Sequence, residues 1–193
     1  MADNNSKNEN DGSKRSLIFS YGTLKRGLQN NYLLQELIDR NDAVYLGSCL
    51  THIPYPLVIG PYGLAYIVNF PGNGHRVKGE LYSVSARGLA RLDELEATSR
   101  GHYERLPIRV VRCPEETTEP DPTVNDDDVV EADAYYAHRS FGEALWDKNH
   151  RQGLREYSEK EARLYVRPED RPNASRTIVD DIWLFISSSE THQ

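Results

Sequence analysis

Cysteine is nearly missing from this chain, with Cys49 and Cys113 the two in 193 residues. That excludes a disulfide-stapled scaffold, and the pair lacks metal-ligand spacing; both are expected as reduced thiols. Long apolar runs are missing as well. No stretch approaches the ~20 apolar residues that cross a bilayer, so no membrane partner is expected. The opening MADNNSKNENDGSKR has no apolar core for a secretory leader, which points to the cytoplasm. Positive charge is not in excess: 23 Lys and Arg against 30 Asp and Glu leave a net −7, unlike a nucleic-acid binder. The six histidines show no paired ligand spacing, so no metal is expected. Phosphate-loop and dinucleotide fingerprints are absent too.

What is present suits one ordinary domain with flexible ends. Residues 1–15 are too polar to order themselves. Leu17-Ile18-Phe19-Ser20-Tyr21 reads as a buried strand that stops at the Gly22-Thr23 turn. Asn30-Asn31 then caps a helix to about Arg40, with Leu33, Leu34, Leu37 and Ile38 at helical spacing. Residues 43–50, 56–59 and 64–70 are short, strand-like and punctuated by Pro and Gly. A turn at 71–74 leads to a strand over 77–84, and Ser85 caps a helix over 86–95. Strand character returns over 103–112 and 132–138. Between them, residues 114–131 form an acidic, solvated loop. The remainder reads as irregular until Thr177–Ile186, a terminal strand or a short helix that periodicity does not separate. This is an α+β fold on a mostly β core, not a doubly wound sheet. The division expected is a tail over 1–15, a domain over 16–172 and a C-terminal extension over 173–193.

Two local features carry chemistry. In the helix after Ser85, Leu89 and Leu92 define an apolar stripe, and Glu96 projects near its centre. An unpaired carboxylate buried there is costly. Either the helix ends first and Glu96 reaches water, the commoner outcome, or it faces an internal cavity. If enclosed, its pKa rises, with the helix dipole and the like charges of Asp93 and Glu94 adding to that. The second feature is Tyr21-Gly22-Thr23-Leu24-Lys25-Arg26-Gly27. A tight turn after a buried strand presents consecutive N–H groups suited to an anion, and Gly22 allows close approach. Lys25 and Arg26 read as solvated, Glu80 as a paired residue, and Tyr55 and Tyr103 as core or cavity aromatics.

Together these segments resemble the γ-glutamyl cyclotransferase-like superfamily. The resemblance rests on YGTLKRG (21–27), GELYSV (79–84), LARLDELE (89–96) and GHY (101–103), and covers residues 16–138. YPLVI (55–59) and NFPGNGHRVKGELY (69–82) bring it nearest the γ-glutamylamine cyclotransferase branch. The glutathione-specific branch fits less well, since its turn reads YGSL. The resemblance implies a compact, mostly β, barrel-like core with flanking short helices and no cofactor. It implies that Tyr21, Gly22, Thr23 and Leu24 bind a γ-glutamyl substrate, that Tyr103 lies beside the cavity, and that Glu96 moves the proton. The implied reaction converts a γ-glutamylamine to 5-oxoproline and an amine. γ-Glutamyl amino acids are the alternative substrates, and a non-catalytic small-molecule-binding module is the alternative function. A monomer is expected.

Overall fold

The computed structural model describes residues 14–114, 128–172 and 175–188. Most of the expected N-terminal tail and of the acidic loop over 114–131 lies outside those residues.

Seven strands are built where short β-branched and aromatic runs predict them. They are β1 (Ser16–Ser20), β2 (Ala43–Thr51), β3 (Leu57–Ile59), β4 (Ala65–Ile67), β5 (Lys78–Val84), β6 (Tyr103–Arg112) and β7 (Val129–Ala137). Five of them close on themselves in the order β1-β5-β2-β6-β7. The ring is completed by a short parallel pairing of Ile18 with Asp133 and Phe19 with Ala134. The β3–β4 hairpin hangs on β7 through Ile67 and Tyr136. A closed barrel leaves no exposed edge around its ring.

Helices α1 (Asn31–Asp39), α2 (Ala86–Leu95), α3 (Gly142–Lys148), α4 (Glu159–Ala162) and α5 (Ile178–Ser187) flank the strands. Period-two alternation divides the core. Phe19, Cys49, Leu81, Val110, Ala134 and Tyr136 form a cluster made mainly of strand residues. Their neighbours Ile18, Tyr82 and Val84 turn the other way, to Leu34 and Leu37 of α1, Leu92 of α2 and Ile182 of α5.

Three expectations change. Helices α3 and α4 occupy a stretch expected to be irregular: α3 has seven residues but buries Leu145 and Trp146, and α4 opens on a Ser158/Glu161 capping box. Strand β7 starts earlier than expected, at Val129. The undecided terminal segment is helical. Thr177 caps α5 in a box with Asp180, and Ile178, Phe185 and Ile186 pack with Ile182 on the core.

Candidate active site

The turn after β1 is held from within. The Lys25 amide donates to the Gly22 carbonyl at 3.1 Å, and the Asn30 amide to that of Thr23 at 3.1 Å. The Asn30 side chain donates to the Thr23 hydroxyl and to the Tyr165 hydroxyl, both at 3.0 Å. The amides of Gly22, Thr23 and Leu24 find no acceptor among the described residues. Three consecutive amides without an acceptor thus belong to residues that line one cavity wall, a composition suited to an anion. Gly22 is not in the left-handed region, and a Cβ there would meet that of Ala65 at an ordinary 3.4 Å. The turn itself therefore does not demand glycine; its missing side chain leaves space in the cavity.

Glu96 is placed by the way α2 is clamped. The Ser85 hydroxyl caps the helix by accepting from the Gly88 amide at 3.1 Å. At the far end Asp93 accepts from Arg105 Nε at 2.9 Å and from the Tyr135 hydroxyl at 2.8 Å. Arg105 also reaches Asp133 of β7 at 2.8 Å, so the last turn of α2 is fastened to two barrel strands. The helix ends at Leu95, and Ala97, left-handed at φ 50°, turns the chain back. Glu96 is the C-cap, yet its side chain does not escape to bulk water: it is half-buried and lines a cavity of about 1250 Å³. Burial pushes its carboxyl up to about 7, from 4.5 for a free glutamate. Like-charge neighbours do not contribute, contrary to expectation. Asp93 is occupied by Arg105 and Tyr135, and Glu94 faces outward to Arg91 at 2.6 Å. Burial raises the hydroxyls of Tyr21, Tyr66, Tyr103 and Tyr135, and charge on Glu96 adds a smaller push to each, so the carboxylate sits within electrostatic reach of all four.

All six residues singled out from the sequence, Tyr21, Gly22, Thr23, Leu24, Glu96 and Tyr103, line this one cavity. Two of them brace its wall. Tyr21 donates to the Tyr135 carbonyl at 2.5 Å and accepts from the Ile67 amide at 3.1 Å. Tyr103 donates to the Ala65 carbonyl at 2.9 Å and stacks on Tyr66 at 5.0 Å.

His102 also lines the cavity, and its role was missed although it stands inside the GHY motif. It bonds the Tyr66 hydroxyl at 2.9 Å, and burial with nearby Arg171 and Arg100 pushes it down to about 3, leaving it neutral. The other candidates lie elsewhere. Lys25 is not solvated but buried, paired with Glu156 at 2.7 Å. Arg26 and Tyr82 both bond Glu80, which is a paired residue as expected. Tyr55 packs on Tyr136 in the strand-lined core, away from the cavity. Among the described residues no three His, Cys, Asp or Glu side chains converge to hold a metal. No described helix is long and apolar enough to cross a membrane.

The arrangement can bind an anion at a backbone cradle and move a proton at an enclosed carboxyl near neutral pH. Known proteins resemble this chain in sequence and fold. Residues 18–159 match the family described as γ-glutamyl cyclotransferase, AIG2-like. An Arabidopsis thaliana protein, whose γ-glutamylcyclotransferase name is itself provisional, is 48% identical over 90% of this chain and 92% of its own. The human γ-glutamylaminecyclotransferase is 38% identical over 49% of this chain and 61% of its own. The solved AIG2-like protein of Mus musculus superposes with a TM-score of 0.60 at 26% identity, over 84% of this chain and all but 1% of that one.

Proposed function

The chain belongs to the γ-glutamyl cyclotransferase, AIG2-like family, and from that premise we propose that it cyclises γ-glutamylamines to 5-oxoproline with Glu96 as its proton carrier. One observation carries the residue assignment: a burial-raised carboxyl shares a cavity with three unpaired backbone N–H groups.

The substrate brings its own nucleophile. Its α-ammonium yields a proton to ionised Glu96, and the amine nitrogen attacks the γ-carbonyl carbon to close a five-membered ring. The bond from that carbon to the leaving nitrogen then breaks as Glu96 returns the proton. In all, the α-nitrogen sheds two protons in becoming a lactam N–H. The departing nitrogen gains two in becoming an ammonium, and Glu96 ends ionised as it began. Holding amine and carbonyl in contact is worth effective molarities of ~10⁵ M or more, and the proton transfer ~10²–10⁴-fold. A carboxyl near 7 suits both halves of that exchange, being neither too weak a base nor too weak an acid. The amides of Gly22, Thr23 and Leu24 take the α-carboxylate, which fixes the glutamyl end against the turn. His102, held neutral by burial, and the buried tyrosines add no charge of their own beside the carboxyl.

The preference for γ-glutamylamines over γ-glutamyl amino acids is supported by the motifs over 55–82 and by the name of the human relative. The test is 5-oxoproline release from a panel of both substrate types, with Glu96→Gln run alongside. Release that is fastest with a γ-glutamylamine and lost in the variant is expected. Equal release by a folded Glu96→Gln would overturn the role given to Glu96.

A further inference from the structure

Asn30 stands at the N-cap of α1 and does not cap it. An asparagine in that place ordinarily turns its side-chain oxygen back to an amide of the first helical turn. Here the side chain makes no capping bond, and its nitrogen instead donates to two hydroxyls, those of Thr23 and Tyr165, each at 3.0 Å. Asn31 serves the same turn, its side chain donating to the Leu24 carbonyl at 2.9 Å. Two asparagines at a helix start are thus given over to the turn after β1, and α1 begins without a side-chain cap.

The direction of the two Asn30 bonds has a chemical consequence. A carboxamide nitrogen has two protons to give and does not accept. Both hydroxyl oxygens therefore accept, and each keeps its own proton for another partner. Among the described residues no acceptor takes either proton. Thr23 and Tyr165 both line the cavity that Glu96 lines. The buried tyrosines of the same cavity are different. Tyr21 donates to the Tyr135 carbonyl, Tyr103 to the Ala65 carbonyl and Tyr135 to Asp93. Their protons are committed to the protein, whereas those of Thr23 and Tyr165 are left for a ligand. Tyr165 lies beyond residue 159, where the family match ends, and 135 residues from Asn30.

We propose that Asn30 is a positioning residue that makes the Thr23 and Tyr165 hydroxyls donors to the α-carboxylate of the γ-glutamyl substrate. This rests on the cyclotransferase reading above, and it adds two O–H groups of fixed polarity to the amides of Gly22, Thr23 and Leu24. A carboxylate only accepts, at about four lone-pair sites, so three amides leave it room for further donors. Hydrogen bonds to an ionised acceptor are the strong kind, and donors already oriented lose little freedom when it arrives. The α-carboxylate takes no part in the bonds that form and break. The hydroxyl pair therefore holds substrate and transition state alike, and acts on KM rather than on kcat.

The test uses the γ-glutamylamine that the protein turns over fastest, followed as 5-oxoproline release, in four variants. Thr23→Val keeps the shape and removes the hydroxyl. It should raise KM ~10-fold or more with kcat within about twofold, and Thr23→Ser should restore KM. Tyr165→Phe should raise KM in the same way. Asn30→Asp is the sharpest of the four. Aspartate is as good an N-cap as asparagine and suits a helix N-terminus, so α1 should hold and the melting temperature should not fall. Its carboxylate only accepts, so both hydroxyls turn their protons to it, and its charge opposes that of the substrate. KM should rise further than in Thr23→Val. An Asn30→Asp protein with the unsubstituted KM would mean that the hydroxyls already donate to residue 30, and would overturn the proposal. So would a Thr23→Val protein with unchanged KM, or variants that lower kcat while KM stays. Each of those outcomes spares the chemistry at Glu96. No 5-oxoproline from any γ-glutamyl compound, with the unsubstituted protein folded, would overturn the cyclotransferase reading and this proposal together.

Discussion

Replacing Glu96 by Gln should make the protein more stable at pH 8 while removing its activity. The folded carboxyl titrates at about 7 and the unfolded one at about 4.5. Because the folded value is the higher, the folded state holds the proton more tightly. The resulting stability is full below 4.5, falls as pH rises between the two values, and is gone above 7. From pH 5 to pH 8 this loss is at most about 2.5 kcal/mol. Glu96 faces a cavity that solvent enters, so about 1–2 kcal/mol is the realistic range. Glutamine does not titrate. The stability difference between the two proteins should therefore shift by that amount in favour of the variant on going from pH 5 to pH 8. Titration of every other group cancels in the comparison. Urea unfolding at both pH values measures it, and the shift corresponds to roughly 2–8 °C in melting temperature. In the same samples the variant should form 5-oxoproline ~10²–10⁴-fold more slowly. The unsubstituted protein's kcat/KM should climb through pH 7 as Glu96 ionises. A stability difference that does not move with pH would mean that Glu96 titrates as an ordinary surface carboxylate, and the proton-carrier role would lose its physical basis.

Asp93→Asn loosens the clamp from α2 to Arg105 and Tyr135. It should cost ~1–3 kcal/mol in urea unfolding and lower kcat more than it raises KM, since Glu96 swings with the helix end. Tyr103→Phe leaves the buried Ala65 carbonyl without its donor but keeps the stack on Tyr66. A loss of ~1–3 kcal/mol is expected, and an unchanged melting curve would show that the bond contributes nothing. Gly88→Ala places a methyl 2.7 Å from Val84 Cγ1 and 2.8 Å from the Asp42 carbonyl, so it should destabilise by ~1–3 kcal/mol despite alanine's better helix propensity. Gly63→Ala drives a Cβ into the backbone of residues 164–165 at an unfavourable φ. It should lower the melting temperature by several degrees, and an unchanged melting curve would show that the close approach of Gly63 to this segment can relax at no cost.

What the sequence made legible follows from how local each signal is. The strand before the turn, the Ser85 cap and the helix over 86–95 depend on patterns within a dozen residues, and all stand where expected. Lys25 was misjudged because its partner, Glu156, lies 131 residues away. Helix α3 is too short for periodicity to register, whereas α4 had a readable signal in Ser158-Glu159-Lys160-Glu161. Glu96 is the instructive case. Periodicity shows which way the side chain points but not what stands opposite. Enclosure depends on the turn from β1, on α1 and on the chain around Tyr165 and Ile178, all far from it in sequence.

The same reasoning separates two kinds of information in the chain. Motifs at 21–27 and 89–96 carry the turn and the carboxyl proposed to hold a γ-glutamyl group and move its proton, and both lie within the family match. Residues 163–171 are arginine-rich and outside that match, and in sequence they read as irregular chain within the domain. Their order comes from unrelated points on the domain: Gly63, Tyr62 and Asn30. A segment held that way can change its charge without disturbing the barrel or the clamp on α2. Charge-altering substitutions over 163–171 should therefore leave in place the pH profile expected from Glu96, which the pH dependence of 5-oxoproline release measures; a profile that moves with them would show that this segment acts on the carboxyl.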